Sequence, residues 1–173
     1  MSTAEKASAD LGEVVSLCSL RAGSGLFGID TRQICEVLGA LTLQPVPLAP
    51  AHIAGVVLYR GEVLTTVSLR ALLGLDDRRN RGSEANCVLV LDDGDDGRFG
   101  LEVDGVGGVV MMAESAFEAN RNPLGARSAI LFDGVCKVQS AVMMRLNPQR
   151  LRPSQPMPSG LPGTSKPEES ESR

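Results

Sequence analysis

The side chains able to do covalent or metal chemistry are few in this chain and poorly spaced for it. His52 is the single histidine, and no Ser, Cys or Asp stands from it at a spacing that marks a nucleophile–base pair. The cysteines at 18, 35, 87 and 136 are too far apart for a Cys-x-x-Cys pair, and zinc would need closer ligands or more histidines. They read as small buried hydrophobes in a reducing compartment. The run Asp92-Asp93-Gly94-Asp95-Asp96-Gly97 lacks the ligand spacing and distal Glu of a helical calcium loop, so it reads as a hairpin turn. Gly105-Val106-Gly107-Gly108 leads into Val109-Val110, a strand pattern, where a phosphate cradle needs a helix N-terminus. No catalytic residue, cofactor or metal site is expected.

The chemistry left is that of recognition. In residues 53–75, two β-rich apolar stretches flank Arg60-Gly61, and a Leu-rich helical turn follows, stopped by Gly74. A cation beside a φ-permissive glycine at a hairpin tip is either a solvated turn residue or a displayed contact. Its apolar flanks favour contact, because arginine is enriched among the residues that dominate interface energy. Glu36 reads as part of a short helical turn. Asp104 reads as a turn former bonding its own backbone before Gly105. Val103, Val106 and Val109 are open between core and groove, and Met111, Met112, Met143 and Met144 between gap-filling and adaptable docking.

The elements that must hold these residues are short. With 173 residues, 43% hydrophobic content, 3% aromatics and no Trp, the chain can build one domain or two small lobes sharing a core of Val, Leu, Ile, Ala and Met. A net charge of −4 gives no reason to expect nucleic acid, and Arg78-Arg79-Asn80-Arg81 reads as a solvated loop. Residues 1–12 lack the basic start and apolar core of a signal peptide, and no apolar run is long enough to span a bilayer, so a cytoplasmic protein is expected. Residues 152–173, rich in Pro, Ser and Glu, read as a disordered tail, leaving residues 13–151 as the folded part.

Strands are expected at 14–20, 26–30, 53–58, 62–68, 86–91, 98–103 and 107–112. A last hairpin is expected from 129–135 and 137–146 across Asp133-Gly134, with short helices at 31–38, 69–73 and 147–151. The pattern is mainly β, of the antiparallel barrel or sandwich class. Phe27-Gly28-Ile29-Asp30 is echoed by Phe99-Gly100-Leu101-Glu102, and each lobe then reaches a hairpin with a glycine, Gly61 in one and Gly134 in the other. Internal duplication is one reading of that echo and chance recurrence the other.

Taken together, these segments resemble the CheW-like domain, the coupling scaffold of bacterial chemotaxis, over residues 13–151. The resemblance rests on Phe27-Gly28-Ile29-Asp30, Ile34-Cys35-Glu36-Val37, Val46-Pro47-Leu48-Ala49-Pro50, the Arg-Gly to Leu-Arg stretch within 53–75, and Phe99 to Val106. It implies two interlocked five-stranded SH3-like β-barrels with a shared core, and no catalysis. It further implies an adaptor joining a chemotaxis histidine kinase regulatory domain to a chemoreceptor helical hairpin, reaching the membrane only through receptor arrays. Arg60 would be the exposed contact, residues around Ile34 and Glu36 part of the partner surface, and Val103, Val106 and Val109 the lining of a groove for the hairpin. The chain departs from the family pattern at Leu58-Tyr59, where Asn-Leu is common, at Ser68 in place of Asp, and at Asn147 in Leu146-Asn147-Pro148. An adaptor of a pilus-motility or other chemosensory pathway is a variant of the same reading. A small β-barrel enzyme or ligand-binding domain is the alternative from another class.

Overall fold

A computed structural model describes residues 12–39, 41–75, 87–92, 94, 97–119 and 129–154. Among the described residues, ten strands run β1 Val14–Ala22, β2 Gly25–Asp30, β3 Ile34–Leu38, β4 Ile53–Tyr59, β5 Glu62–Ser68, β6 Cys87–Asp92, β7 Arg98–Val103, β8 Gly105–Ala113, β9 Phe132–Val138 and β10 Ala141–Leu146. One helical turn, α1 Leu69–Leu72, follows β5. The strands form two five-stranded sheets, ordered β8-β1-β2-β10-β9 and β3-β6-β7-β5-β4.

The two halves of the chain exchange strands. The first, β1 to β5, gives two strands to one sheet and three to the other, and the second, β6 to β10, does the converse. Each sheet is centred on one of the echoed segments. Phe27 and Gly28 in β2 lie parallel to Met144 and Arg145 of β10, while Gly100 and Leu101 in β7 lie parallel to Thr66 and Val67 of β5. The sequence echo is therefore a topological repeat, with sheet-forming strands traded between the copies.

The repeat extends to detail that the sequence did not display. Arg60 (φ 49°) opens the β4–β5 turn, and Gln139 (φ 54°) opens the β9–β10 turn. Both bends are the tight, positive-φ kind whose twist matches flanking strands. The glycine of the second half that corresponds to the first is Gly134 with Gly55. A Cβ on Gly55 would sit 2.6 Å from the Gln44 carbonyl, and one on Gly134 would sit 3.3 Å from the Glu118 carbonyl, because each outer strand is bridged there by an incoming segment. The expected hairpin across Asp133-Gly134 is thus corrected: those residues lie inside β9, and the chain turns at Gln139-Ser140. The helix expected over 31–38 is also corrected. Thr31–Gln33 form a single 3-10 turn capped by Asp30, and Ile34–Leu38 pair with β6, where β-branched residues pack well on a pleated sheet.

Burial explains why the exchange holds. A shared core gathers Leu20, Phe27 and Ile29 from one sheet with Val67, Leu91 and Leu101 from the other. A smaller cluster belongs to each sheet: Leu17, Cys136 and Met143 in one, Tyr59, Leu64 and Val90 in the other. The two edges of the second sheet approach one another through side chains. Among the described residues the terminal strands of neither sheet pair with one another by ladder hydrogen bonds, yet Leu38 of β3 and Val57 of β4 pack on the same small cluster.

Two departures from the family pattern keep their local task. Ser68 Oγ accepts from the Ala71 N–H at the start of α1, and Asn147 Oδ1 accepts from the Gln149 N–H at the next 3-10 turn. Ser and Asn cap helical turns about as well as Asp does. The Asp92–Gly97 run joins β6 to β7, with Asp92 accepting from the Gly94 N–H. The basic run at 78–81, residues 1–11 and residues 155–173 lie outside the described residues.

Candidate functional site

The Arg60-Gly61 turn projects from the edge of the second sheet, and its composition follows from alternation along β4 and β5. Tyr59 and Leu64 point inward and are buried, while the cross-strand pair Leu58 and Val63 point outward and are exposed. Arg60 follows Tyr59 at the rim, with its side chain 71% exposed. Glu36 comes from β3, at the opposite edge of the same sheet, and the curl of the sheet brings it across. Its Oε2 accepts from the Tyr59 hydroxyl at 2.9 Å and from the Arg60 guanidinium at 3.0 Å. The Arg60 guanidinium also lies 5.1 Å from the centre of the Tyr59 ring. Desolvation first, and then the bond to Glu36, push the Tyr59 phenol above its usual range, which keeps it a donor.

An exposed ion pair of this kind contributes at most about 1 kcal/mol to stability. Its consequence is orientation: Glu36 and the Tyr59 ring hold an extended guanidinium in one place, flanked by Leu58 and Val63. Sequence reasoning brought Arg60 and Glu36 forward but placed Glu36 on a helix, and it met Tyr59 only as a departure from the family pattern, not as a partner of either. The signal that could have found Tyr59 is its rarity, since it is the chain's one tyrosine and interrupts the usual family pattern.

The valines divide. Val103 is sealed in the shared core at 1% exposure, so the expectation that it lines a groove is corrected. Val106 is half-buried against that core, as is Ile34 at the start of β3. Val109 is exposed on β8 together with Met111, whereas Met143 and Met144 are buried.

Asp104, between β7 and β8, is not a local turn former. Its Oδ2 accepts from the Gly23 N–H and from Arg70, each at 2.6 Å. One carboxylate thereby fastens the β1–β2 turn of the first sheet to α1 beside the second. Arg70 also donates to the Leu75 carbonyl at 3.4 Å. The Leu-Arg of the central signature is thus a clasp between lobes, and no local spacing in the sequence reveals it.

A polar depression of about 450 Å³ opens near Asp30, Arg32, Glu114 and Arg145. Four of its charges form two pairs, and Glu13 and Asp133 add further carboxylates to its lining. Arg32 is bidentate on Asp30, Arg145 meets Glu114 at 2.7 Å, and the Arg145 guanidinium lies 4.3 Å from the Phe117 ring centre. The hydrogen bond from Arg32 holds the Asp30 carboxyl below the usual range, and that from Arg145 does the same for Glu114. Burial pushes the Cys18 and Cys136 thiols up. For the carboxylates the folded form binds protons less readily than the unfolded chain, so their contribution is present above the ordinary carboxylate pKa and lost as pH falls through the depressed values. For the thiols it is present below the ordinary thiol pKa and lost as pH rises. We expect the melting temperature to hold a plateau through neutral pH, falling below about pH 4 and again above about pH 9. A thermal-shift series across pH checks this, and a melting temperature unchanged down to about pH 2 would remove the carboxylate pairs from the argument.

Cys18 and Cys136 are buried and Cys87 half-buried, but Cys35 is exposed on the outer face of β3, which corrects its reading as a buried hydrophobe. His52 is buried, and its carbonyl accepts from the Ser68 N–H at 2.8 Å. Among the described residues, no three His, Cys, Asp or Glu side chains are arranged to hold a metal ion, and no helix is long and apolar enough to cross a membrane.

Comparison with known proteins agrees with this architecture. The CheW-like domain family matches residues 16–155. A curated relative, the chemotaxis protein CheW of Treponema pallidum (strain Nichols), is 21% identical over 140 residues, which is 80% of this chain and 82% of that protein. The crystal structure of the scaffolding protein TtCheW from Thermoanaerobacter tengcongensis superposes with a TM-score of 0.68 at 20% identity, covering 78% of this chain and 90% of that one. Two exchanged five-stranded sheets, an Arg-Gly tip and a match across most of the length place the chain in the CheW-like domain family.

Proposed function

We propose that the chain is a non-catalytic adaptor that couples a chemoreceptor helical hairpin to the regulatory domain of a chemotaxis-type histidine kinase. As a CheW-family protein it is a scaffold of chemotaxis signalling. The finer assignment rests on one observation: a guanidinium held by Glu36 and Tyr59 at an exposed tip, beside the outward-facing pair Leu58 and Val63. Apolar area supplies affinity at such a surface, and an oriented charge supplies register and partner choice. Ile34, Val106 and Val109 extend the partner surface in this reading, at the junction of the lobes and along β8. A site in the cytoplasm beneath the receptor arrays follows from those partners.

Arg60→Glu sets two carboxylates side by side at the tip. It should weaken capture by receptor and kinase several-fold in a co-sedimentation assay while the melting temperature changes little. Equal capture by variant and parent would take Arg60 out of the contact surface. The rival reading, a ligand-binding or enzymatic domain, looks to the depression at Asp30 and Arg145, where Asp30 is already paired with Arg32 and Arg145 with Glu114.

A further inference from the structure

The two halves of the chain build the same hairpin bend from different residues, so one serves as a control for the other. Tyr59-Arg60-Gly61-Glu62 joins β4 to β5, and Val138-Gln139-Ser140-Ala141 joins β9 to β10. Tyr59 pairs with Glu62 across the first bend, and Val138 with Ala141 across the second. Each bend opens on a positive φ, 49° at Arg60 and 54° at Gln139. The second half shows what the fold requires at this place. A valine packed against the small core cluster of its sheet and an uncharged turn residue are enough. The phenol of Tyr59 and the cation of Arg60 answer some other demand.

Those two groups are joined through a third. Tyr59 is enclosed, at 5% exposure, with its ring in the cluster of Leu64 and Val90. Its hydroxyl donates to Glu36 Oε2 at 2.9 Å, and the same oxygen accepts from the Arg60 guanidinium at 3.0 Å. That guanidinium also lies 5.1 Å from the centre of the Tyr59 ring. One carboxylate oxygen therefore ties a buried phenol to an exposed cation, and the ring braces the cation a second time. The backbone bears a cost here too, because Asn or Gly suits the first position of such a bend better than arginine does. An arginine at an open turn would otherwise sample many rotamers, and binding would have to freeze it.

Resting on the adaptor reading, we propose that Tyr59 is a positioning residue for partner capture, which fixes the bearing of the Arg60–Glu36 pair without touching the partner itself. Its enclosure leaves it no other route of action. The departure from the family pattern at Leu58-Tyr59 then has a purpose. Leucine in place of Tyr59 would still fill the cluster, but it would offer the cation no ring and the carboxylate no donor. A pair held in advance spares the ordering of a long side chain on binding, which changes affinity by about two- to ten-fold. It also commits the tip to one approach, beside the apolar area of Leu58 and Val63.

The test uses the full chain with a purified kinase regulatory domain and, separately, a purified helical-hairpin fragment of a chemoreceptor. Tyr59→Phe keeps the ring and its packing and removes only the donor. It should melt close to the parent yet bind about two- to five-fold more weakly whichever protein Arg60→Ala loses, and Tyr59→Leu should bind more weakly still. In an Arg60→Ala background, Tyr59→Phe should cost nothing further. A loss of equal size with and without Arg60 makes Tyr59 a structural residue and overturns the proposal, as does parent affinity in Tyr59→Phe for both proteins. A parent chain that captures neither protein overturns the adaptor reading and the proposal with it. A second readout needs no partner. The chain has one Tyr and no Trp, so its emission comes from this phenol, and a carboxylate accepting a phenol's hydrogen bond quenches that emission. Glu36→Gln should brighten the free chain, and unchanged emission would remove the bond on which the positioning depends.

Discussion

Phe27→Ala is expected to destabilise the fold by about 3–5 kcal/mol, the range for emptying a fully buried aromatic site. Phe27 has no exposed area, stands opposite Leu20 of β1 and beside Met144 of β10, and stacks on Phe132 with ring centres 6.0 Å apart. With only five aromatic residues in the chain, few others fill as much of the core. The more telling outcome is where the loss is felt. The one tyrosine, Tyr59, lies in the other sheet, so its emission reports on a lobe that Phe27 does not belong to. Because the sheets share one core, urea titrations followed by Tyr59 emission and by far-ultraviolet circular dichroism should shift to lower denaturant together. Two separated transitions, with the tyrosine signal left where the parent has it, would show that the lobes unfold independently.

The second large effect is at the clasp. Asp104→Ala leaves the exposed Gly23 N–H without its acceptor and the partly buried Arg70 without its counter-charge. Charge-assisted hydrogen bonds of this kind contribute about 1.5–3 kcal/mol each, so a loss of about 2–3 kcal/mol is expected after relaxation. Asp104→Asn keeps an acceptor and should recover part of it. A double-mutant cycle with Arg70→Ala isolates the pair, and a coupling of about 1 kcal/mol or more is expected. Coupling near zero, with Asp104→Ala as stable as the parent, would leave the carboxylate without a structural role.

Most of the fold was legible because alternation is a local signal. The runs at 14–20, 53–58, 62–68 and 98–103 announce half-buried strands, and turn residues fence them. The errors fall where distant contacts outvote local preference. Ile34–Leu38 is too short to show a period, and its pairing with β6 decides it. Asp133-Gly134 carries strong turn chemistry, yet the glycine is there to let the Glu118 carbonyl approach β9. The site was legible in part for the same reason. Arg60 is exposed by its hairpin, which sequence can foresee, but its partners Glu36 and Tyr59 converge only when the sheet curls. Val103 alternates like a groove residue and is instead enclosed, because it packs in the core shared with the other sheet.

The exchanged strands have a consequence for how the protein comes into being. Phe27 in β2 lies beside Met144 in β10, a partner 117 positions later in the chain. During synthesis the first two strands leave the ribosome long before the segment that completes their sheet exists, and the second sheet, too, must wait for β6 and β7. Neither half can mature alone, so assembly is deferred until nearly the whole chain is present, and closing such long loops slows the search. A nascent chain stalled after β5 should expose oily edges and invite holding chaperones, whereas the finished one springs shut around both halves at once.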